Sequence, residues 1–319
     1  VHYIPPLTSN KSIAGGSSIP LDQYMYLSTP SENNVTVTVT PLNGDSPTTY
    51  NDLSNSNPRT YEIGNSYSGG FVASQLFVDH ETTGGNTALN AGFVVEADCP
   101  IYVSIRYNAG AQAGALVSKG DASLGTNFRA GMMTNGTAQT ANAHYTANSF
   151  FSVMATQDDT TVAIDLPNAI IGQTTLSNYN YQGPFTKVLQ KHESMILSLD
   201  FLNTNANNEG ARNSLNGALI RSVDENGTED GTKPLVVNVG SASGSFTSTG
   251  SGHDHGIDQI VGLDRVGHEY IFVRGNGQNL NDGGQLETPL IIATKDNTSL
   301  YLSLIHISEP TRLLSIWYA

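Results

Sequence analysis

One pattern constrains this chain more than any other: an apolar run with period-two alternation, a polar turn rich in Asn and Asp, and a second alternating run. It stands at Phe151 to Leu166 (FSVMATQDDTTVAIDL), at Tyr24 to Val39 (YMYLSTPSENNVTVTV) and at Leu290 to Leu302 (LIIATKDNTSLYL). Alternation of this kind places every second side chain on one face, as in a half-buried strand. Asn and Asp at the reversal bond their own backbone and tolerate left-handed conformations. Each copy therefore reads as a β-hairpin. A recurring hairpin makes the chain an all-β, antiparallel repeat protein.

The segments between the copies follow the same order. Pro234-Leu235-Val236-Val237 answers Pro100-Ile101-Tyr102-Val103, and Val266-Gly267-His268-Glu269-Tyr270 answers Leu124-Gly125-Thr126-Asn127-Phe128. Gly92 to Ile105 and Phe185 to Leu199 read as further hairpins around Asp98-Cys99-Pro100 and Lys191-His192-Glu193. The landmark threonines Thr29, Thr156 and Thr294 lie much farther apart than the roughly 40 to 50 residues of one propeller blade. Each repeat must then hold several hairpins, which leaves a propeller-like arrangement or tandem β-sandwiches. The expected organisation is a first β-rich repeat over 1–150, a second over 151–288, and the start of a third over 289–301.

Composition narrows the function classes. Only 13% of residues are charged, and 28 acidic side chains face 14 basic ones. A net charge of −14 without a Lys/Arg cluster repels a phosphate backbone, so nucleic acid is not an expected partner. No run approaches the roughly 18 apolar residues of a membrane-spanning helix. The single cysteine, Cys99, allows no intrachain disulfide and reads as a small core residue inside an apolar strand. The balance is that of an exported protein, secreted or held at the outer cell surface.

The two ends carry separate expectations. The chain starts at Val1, so any signal peptide lies upstream. At the other end, Leu302 to Arg312 (LSLIHISEPTR) resembles the in-frame translation of a transposase adapter used in sequencing libraries. Ile316, Tyr318 and Ala319 fit the flow-cell adapter that follows it, with Trp317 departing. Residues 302–319 are accordingly expected to be non-biological, with the natural protein continuing beyond about residue 301 as different sequence.

Taken together, KPLVVNVGS, Gly256-Ile257-Asp258-Gln259-Ile260, Val266-Gly267-His268-Glu269-Tyr270 and ATKDNT resemble the N-terminal family of IgGFc-binding protein, over most of residues 1 to 301. HYIPPLT with DQYMYLSTP is similar to the large surface proteins of gliding bacteria that carry such a region. The resemblance implies a non-enzymatic surface or adhesion protein of the type IX secretion route, with an extracellular protein or glycan as partner. Animal members carry cysteines near the segment matching His253 to Gln259, where this chain has none, so immunoglobulin binding is not carried over.

Three constellations are candidates for chemistry. His253 and His255 at i and i+2 on an extended segment share a side, and Asp258 could complete a metal site. The alternative is a pair of solvated loop histidines. The acidic turns Glu32-Asn33-Asn34, Asp158-Asp159, Asp296-Asn297 and Asp224 to Asp230 offer oxygen ligands to calcium, although turn formation alone accounts for them. Asp258-Gln259 interrupts an apolar strand and reads either as a structural polar pair or as a binding pair. No G-x-S-x-G elbow, complete dinucleotide loop or singled-out carboxylate pair exists, so no catalytic residue and no cofactor is assigned. The rival to a binding protein is a secreted carbohydrate-active enzyme or its binding module.

Overall fold

The computed structural model describes residues 1–8, 20, 22–64, 74–78, 87–109, 112–132, 149–176, 179–199, 214–245, 253–272 and 290–301. Over these residues the protein is all-β, with two short 3-10 turns, η1 (Gly120–Ser123) and η2 (Leu263–Arg265), and no α-helix. Four four-stranded antiparallel sheets form two sandwiches. The first sandwich pairs a sheet of order β1 (His2–Ile4), β8 (Phe93–Ala97), β4 (Val35–Pro41), β5 (Thr48–Leu53) with one of order β10 (Gln112–Ser118), β9 (Tyr102–Ala109), β3 (Gln23–Ser28), β6 (Arg59–Gly64).

The second sandwich has the orders β11 (Asn127–Arg129), β18 (Leu219–Val223), β13 (Thr160–Asp165), β16 (Phe185–Leu189) and β20 (His253–Ile260), β19 (Leu235–Ser245), β12 (Ser149–Ala155), β17 (Ser194–Ser198). Two small ribbons, β2 (Leu7–Thr8) with β7 (Phe77–Val78) and β14 (Thr175–Leu176) with β15 (Tyr179–Asn180), complete the set. Strand for strand, the two sandwiches have one topology. The repeat expected from the sequence is therefore a repeated sandwich and not a propeller.

The alternation in the sequence is also the burial pattern. In β4, Val35, Val37 and Val39 are buried and the threonines between them are not. These valines close the first core with Met25, Leu27, Phe93, Val95, Val103 and Ile105. The second core gathers Phe151, Val153, Val162, Ile164, Ile220, Val237 and Val239. Burying such β-branched and aromatic faces between two sheets is the main stabilising term, since no disulfide contributes.

Two expectations are corrected. The organising stretches are not hairpins: β3 and β4, β12 and β13, β8 and β9, and β16 and β17 each lie in opposite sheets. The turn carries the chain across the core, so Val153 and Val162 meet face to face between the sheets instead of side by side in one ladder. Only non-local pairing separates such an arch from a hairpin, since both alternate alike. Cys99 is exposed, because it lies in the arch turn between β8 and β9, outside both strands.

A threonine closes the same arch in each sandwich. Thr29 Oγ1 donates to the carbonyl of Pro100 at 2.8 Å, and Thr156 Oγ1 donates to that of Pro234 at 2.6 Å. Both threonines are nearly inaccessible, at 5% and 2% exposure. Replacing either by Val keeps the shape and removes the hydroxyl bond, which leaves the Pro234 carbonyl only the long Thr156 N–H bond of 3.4 Å and frees the Ser31 N–H that Thr29 Oγ1 accepts from, so Thr29→Val and Thr156→Val should each cost about 1 kcal/mol in urea unfolding. A cost at only one of the two sites would contradict their equivalence.

Candidate functional site

Of the residues singled out in the sequence, His255, Asp258 and Gln259 lie where the second sandwich meets the first. Strand β12 has no exposed residue, because both of its faces are covered. Phe151, Val153 and Ala155 face their own core, whereas Phe150, together with Ile196 of β17, joins the core of the first sandwich. At one edge, Leu89 and Ser194 exchange backbone hydrogen bonds of 2.7 and 2.9 Å.

Gln259 is the polar centre of this seam and is fully buried. Its Nε2 donates to the Tyr3 carbonyl (2.9 Å) and to Asn238 Oδ1 (3.2 Å). Its Oε1 accepts from Ser118 Oγ (3.1 Å) and from the Lys119 backbone N–H (2.7 Å). All four bonding positions of the amide are thus filled. Asn238, also fully buried, donates through Nδ2 to the Pro5 carbonyl at 2.9 Å. The polar interruption of an apolar strand is a structural joint. The matching Asn238 in VVNVGS is a partner that the sequence reading missed; a lone amide inside an apolar run was the available signal.

The metal candidates separate on this scaffold. Alternation along β20 places His255 and Gln259 on the buried side and Asp258 on the other, where it is exposed. Asp258 pairs with Lys119 Nζ at 2.9 Å, and the same ammonium donates to the Gln259 carbonyl. With side chains 35% and 60% exposed, the ion pair contributes no more than about 1 kcal/mol. His255 is buried and stands edge-on to Tyr107, with ring centroids 5.2 Å apart at 88°. The side chain of His253 lies outside the described residues. Among those described, no three His, Cys, Asp or Glu side chains cluster in a way that would hold a metal ion.

In the loop from Asp224 to Asp230, two carboxylates are bonded within their own turns. Asp224 Oδ1 accepts from the N–H groups of Asn226 and Thr228, each at 2.9 Å. Asp230 Oδ1 accepts from the Thr232 hydroxyl and N–H, bonds that hold its carboxyl below the ordinary range, and Lys233 Nζ caps the Asp159 carbonyl at 2.7 Å. These oxygens serve the turns.

Two histidines at the seam respond to acid. His2, hydrogen-bonded through Nδ1 to Ser118 Oγ at 3.0 Å, is held below its ordinary value of 6.5 by burial, and burial likewise lowers His192. The unfolded chain therefore takes up protons before the folded one. Their contribution to stability is complete above about pH 6.5 and is lost as pH falls below it. The urea midpoint should drop between pH 7.5 and pH 5.0, and the double variant His2→Gln/His192→Gln should flatten that slope. An unchanged slope would contradict the assignment.

A second surface stands opposite in character. The outer face of the β10-β9-β3-β6 sheet carries Tyr26, Tyr102 and Val117, exposed by 41%, 66% and 59%. Tyr24 stands beside Tyr26, with centroids 6.5 Å apart. Cross-strand register matches Val117 to Gln259 and Tyr102 to Val236, because Val103 opposes Ser118 as Val237 opposes Ile260. The equivalent positions of the second sandwich are therefore buried in the seam, while in the first they face solvent. Arg106 takes the place of Gly240, where a Cβ would come within 2.9 Å of the Gly256 carbonyl and the Phe150 ring. The face that is closely packed in one sandwich is open and tyrosine-rich in the other.

A family model described as IgGFc binding protein matches residues 113–315. The chain belongs to the IgGFc-binding protein family. The matched stretch takes in β10 and the whole second sandwich; strands β1 to β9 lie outside it, so the match is shorter than the resemblance over most of 1–301. It runs past Leu302 as far as residue 315, over most of the segment expected from the sequence to be non-biological. Neither curated proteins nor solved structures gave a match to the chain. IgGFc-binding domains are binding domains of extracellular proteins, and at that level the chain is an extracellular binding protein. No helix among its described residues is long and apolar enough to cross a membrane.

Proposed function

We propose that this IgGFc-binding family member is a non-enzymatic adhesion module, carried on an exported cell-surface protein of the kind gliding bacteria deploy, and that it engages an extracellular protein ligand. The observation that carries the reading is the outer face of the β10-β9-β3-β6 sheet. Tyr26, Tyr102 and Val117 stay exposed there, although the same positions of the second sandwich are buried. Tyrosine supplies a large, rigid contact area with a polar tip at low entropic cost, which suits it to recognition surfaces.

The test immobilises the chain and passes purified extracellular glycoproteins, IgG Fc and a glycan array over it. Retention of a protein probe should fall at least about tenfold in Tyr26→Ser/Tyr102→Ser, with the melting temperature unchanged. Retention indifferent to both substitutions would overturn the surface. Turnover of chromogenic glycosides, abolished by replacing one carboxylate, would overturn the function in favour of a carbohydrate-active enzyme.

A further inference from the structure

One contact of the seam between the sandwiches recurs at the far end of the second one. Met154, two residues before Thr156, brings its Cε within 3.2 Å of where a Cβ on Gly92 would lie, beside the Pro6 nitrogen. Ile292, two residues before Thr294, brings Cγ1 within 2.6 Å of where a Cβ on Gly131 would lie. Gly131 follows the end of β11 by two residues, as Pro6 follows the end of β1. The same knob thus meets the same edge one repeat later.

The turn after each knob is also the same. Asp159 and Asn297, each three residues past the landmark threonine, have φ of 52° and 57°. Thr160 Oγ1 donates to the Gln157 carbonyl at 2.7 Å, and Thr298 Oγ1 to that of Lys295 at 2.6 Å. Residues 290–301 are a third copy of the arch, without ladder partners among the described residues.

The apolar groups of this copy are partly exposed among the described residues. Val153 and Val162 are fully buried, whereas Ile291 and Leu300, at the matching places, are 38% and 43% exposed. Beyond η2, Tyr270, Ile271 and Phe272 are 63%, 81% and 67% exposed, although Phe128 and Ala130, at matching positions after η1, are fully buried. Both groups lie close to β11, since Ile292 reaches Gly131 and η2 packs on β11, and exposed apolar surface of this kind marks an interface.

We propose that the β11 end of the second sandwich is a docking surface for a third sandwich of the same topology. Tyr270 to Phe272 form that sandwich's edge strand, residues 290–301 its first arch, and Ile292 plays the part of Met154. The protein is thus built as a head-to-tail stack in which each unit covers one sheet of the next. The occupant follows from the chain itself, because its own third arch already sits in the position that β12 takes on the first sandwich.

Two experiments on the full chain decide this. In a Cys99→Ser background, Gly131→Cys/Ile292→Cys should oxidise to a disulfide in nearly all molecules, and failure to close would overturn the seat. Replacing residues 302–319 by a second copy of residues 164–262 supplies the strands that such a third sandwich needs. Hydrogen exchange at 270–272 and 290–301 should then slow at least about 100-fold, as for strands in a ladder. Amides left fast, whether the added segment folds apart or stays unfolded, would overturn the proposal.

Discussion

Phe150→Ala should destabilise the protein by about 3–5 kcal/mol, the range for removing a fully buried aromatic ring. Its effect should also be misplaced relative to its strand. Phe150 belongs to β12 of the second sandwich, yet its ring packs in the core of the first. Truncation leaves a cavity at the seam and weakens the coupling of the two units, so urea unfolding should resolve into two transitions. Phe151→Ala, one residue on and facing the second core, should cost a similar amount without separating the transitions. Equal behaviour of the two variants, or a loss below about 1 kcal/mol at Phe150, would contradict the shared layer.

Gln259→Leu should cost about 3–4 kcal/mol despite its conserved volume, because the loss is of partners and not of packing. The substitution leaves the Tyr3 carbonyl, Asn238 Oδ1 and the Lys119 N–H without their bonds, each an orphan that costs roughly 1–3 kcal/mol when buried, with incomplete additivity. Gln259→Glu should be at least as harmful at neutral pH, since a carboxylate oxygen would then face two acceptors, and part of its loss should return in acid as that oxygen is protonated. Denaturant unfolding at pH 7.5 and 5.0 checks both variants. A cost within about 0.5 kcal/mol for Gln259→Leu would mean that the seam is held by its apolar contacts alone.

Much of the site was visible as residues and little of it as geometry. Asp258 and Gln259 stand out in their strand from the sequence, but their roles diverge: Gln259 joins four groups at the seam, and Asp258 meets one surface ammonium. Their partners lie far along the chain, in Tyr3, Ser118 and Lys119, and nothing local to β20 announces them. The histidine pair reads as a ligand set only while the histidines and Asp258 are taken to share a side. A strand gives neighbours of odd spacing opposite faces, and that places Asp258 away from His255. The tyrosine face was half legible. The alternation in QYMYLS points Tyr24 and Tyr26 away from Met25 and Leu27, but the sequence does not say that Tyr102 joins them.

What the sequence by itself determined is everything set within a few residues: strand faces, turn chemistry, the absence of a disulfide, and the recurrence of one unit with its landmark threonines. Tertiary structure decided which strands pair, that the recurring turns span a core instead of closing a ribbon, and that one copy of a sheet face is buried while the other meets solvent. The physical reason is range. Alternation and turn preference act between neighbours, whereas ladder hydrogen bonds and seam packing join residues up to an entire repeat apart, and identical local patterns satisfy either pairing until the whole chain has collapsed.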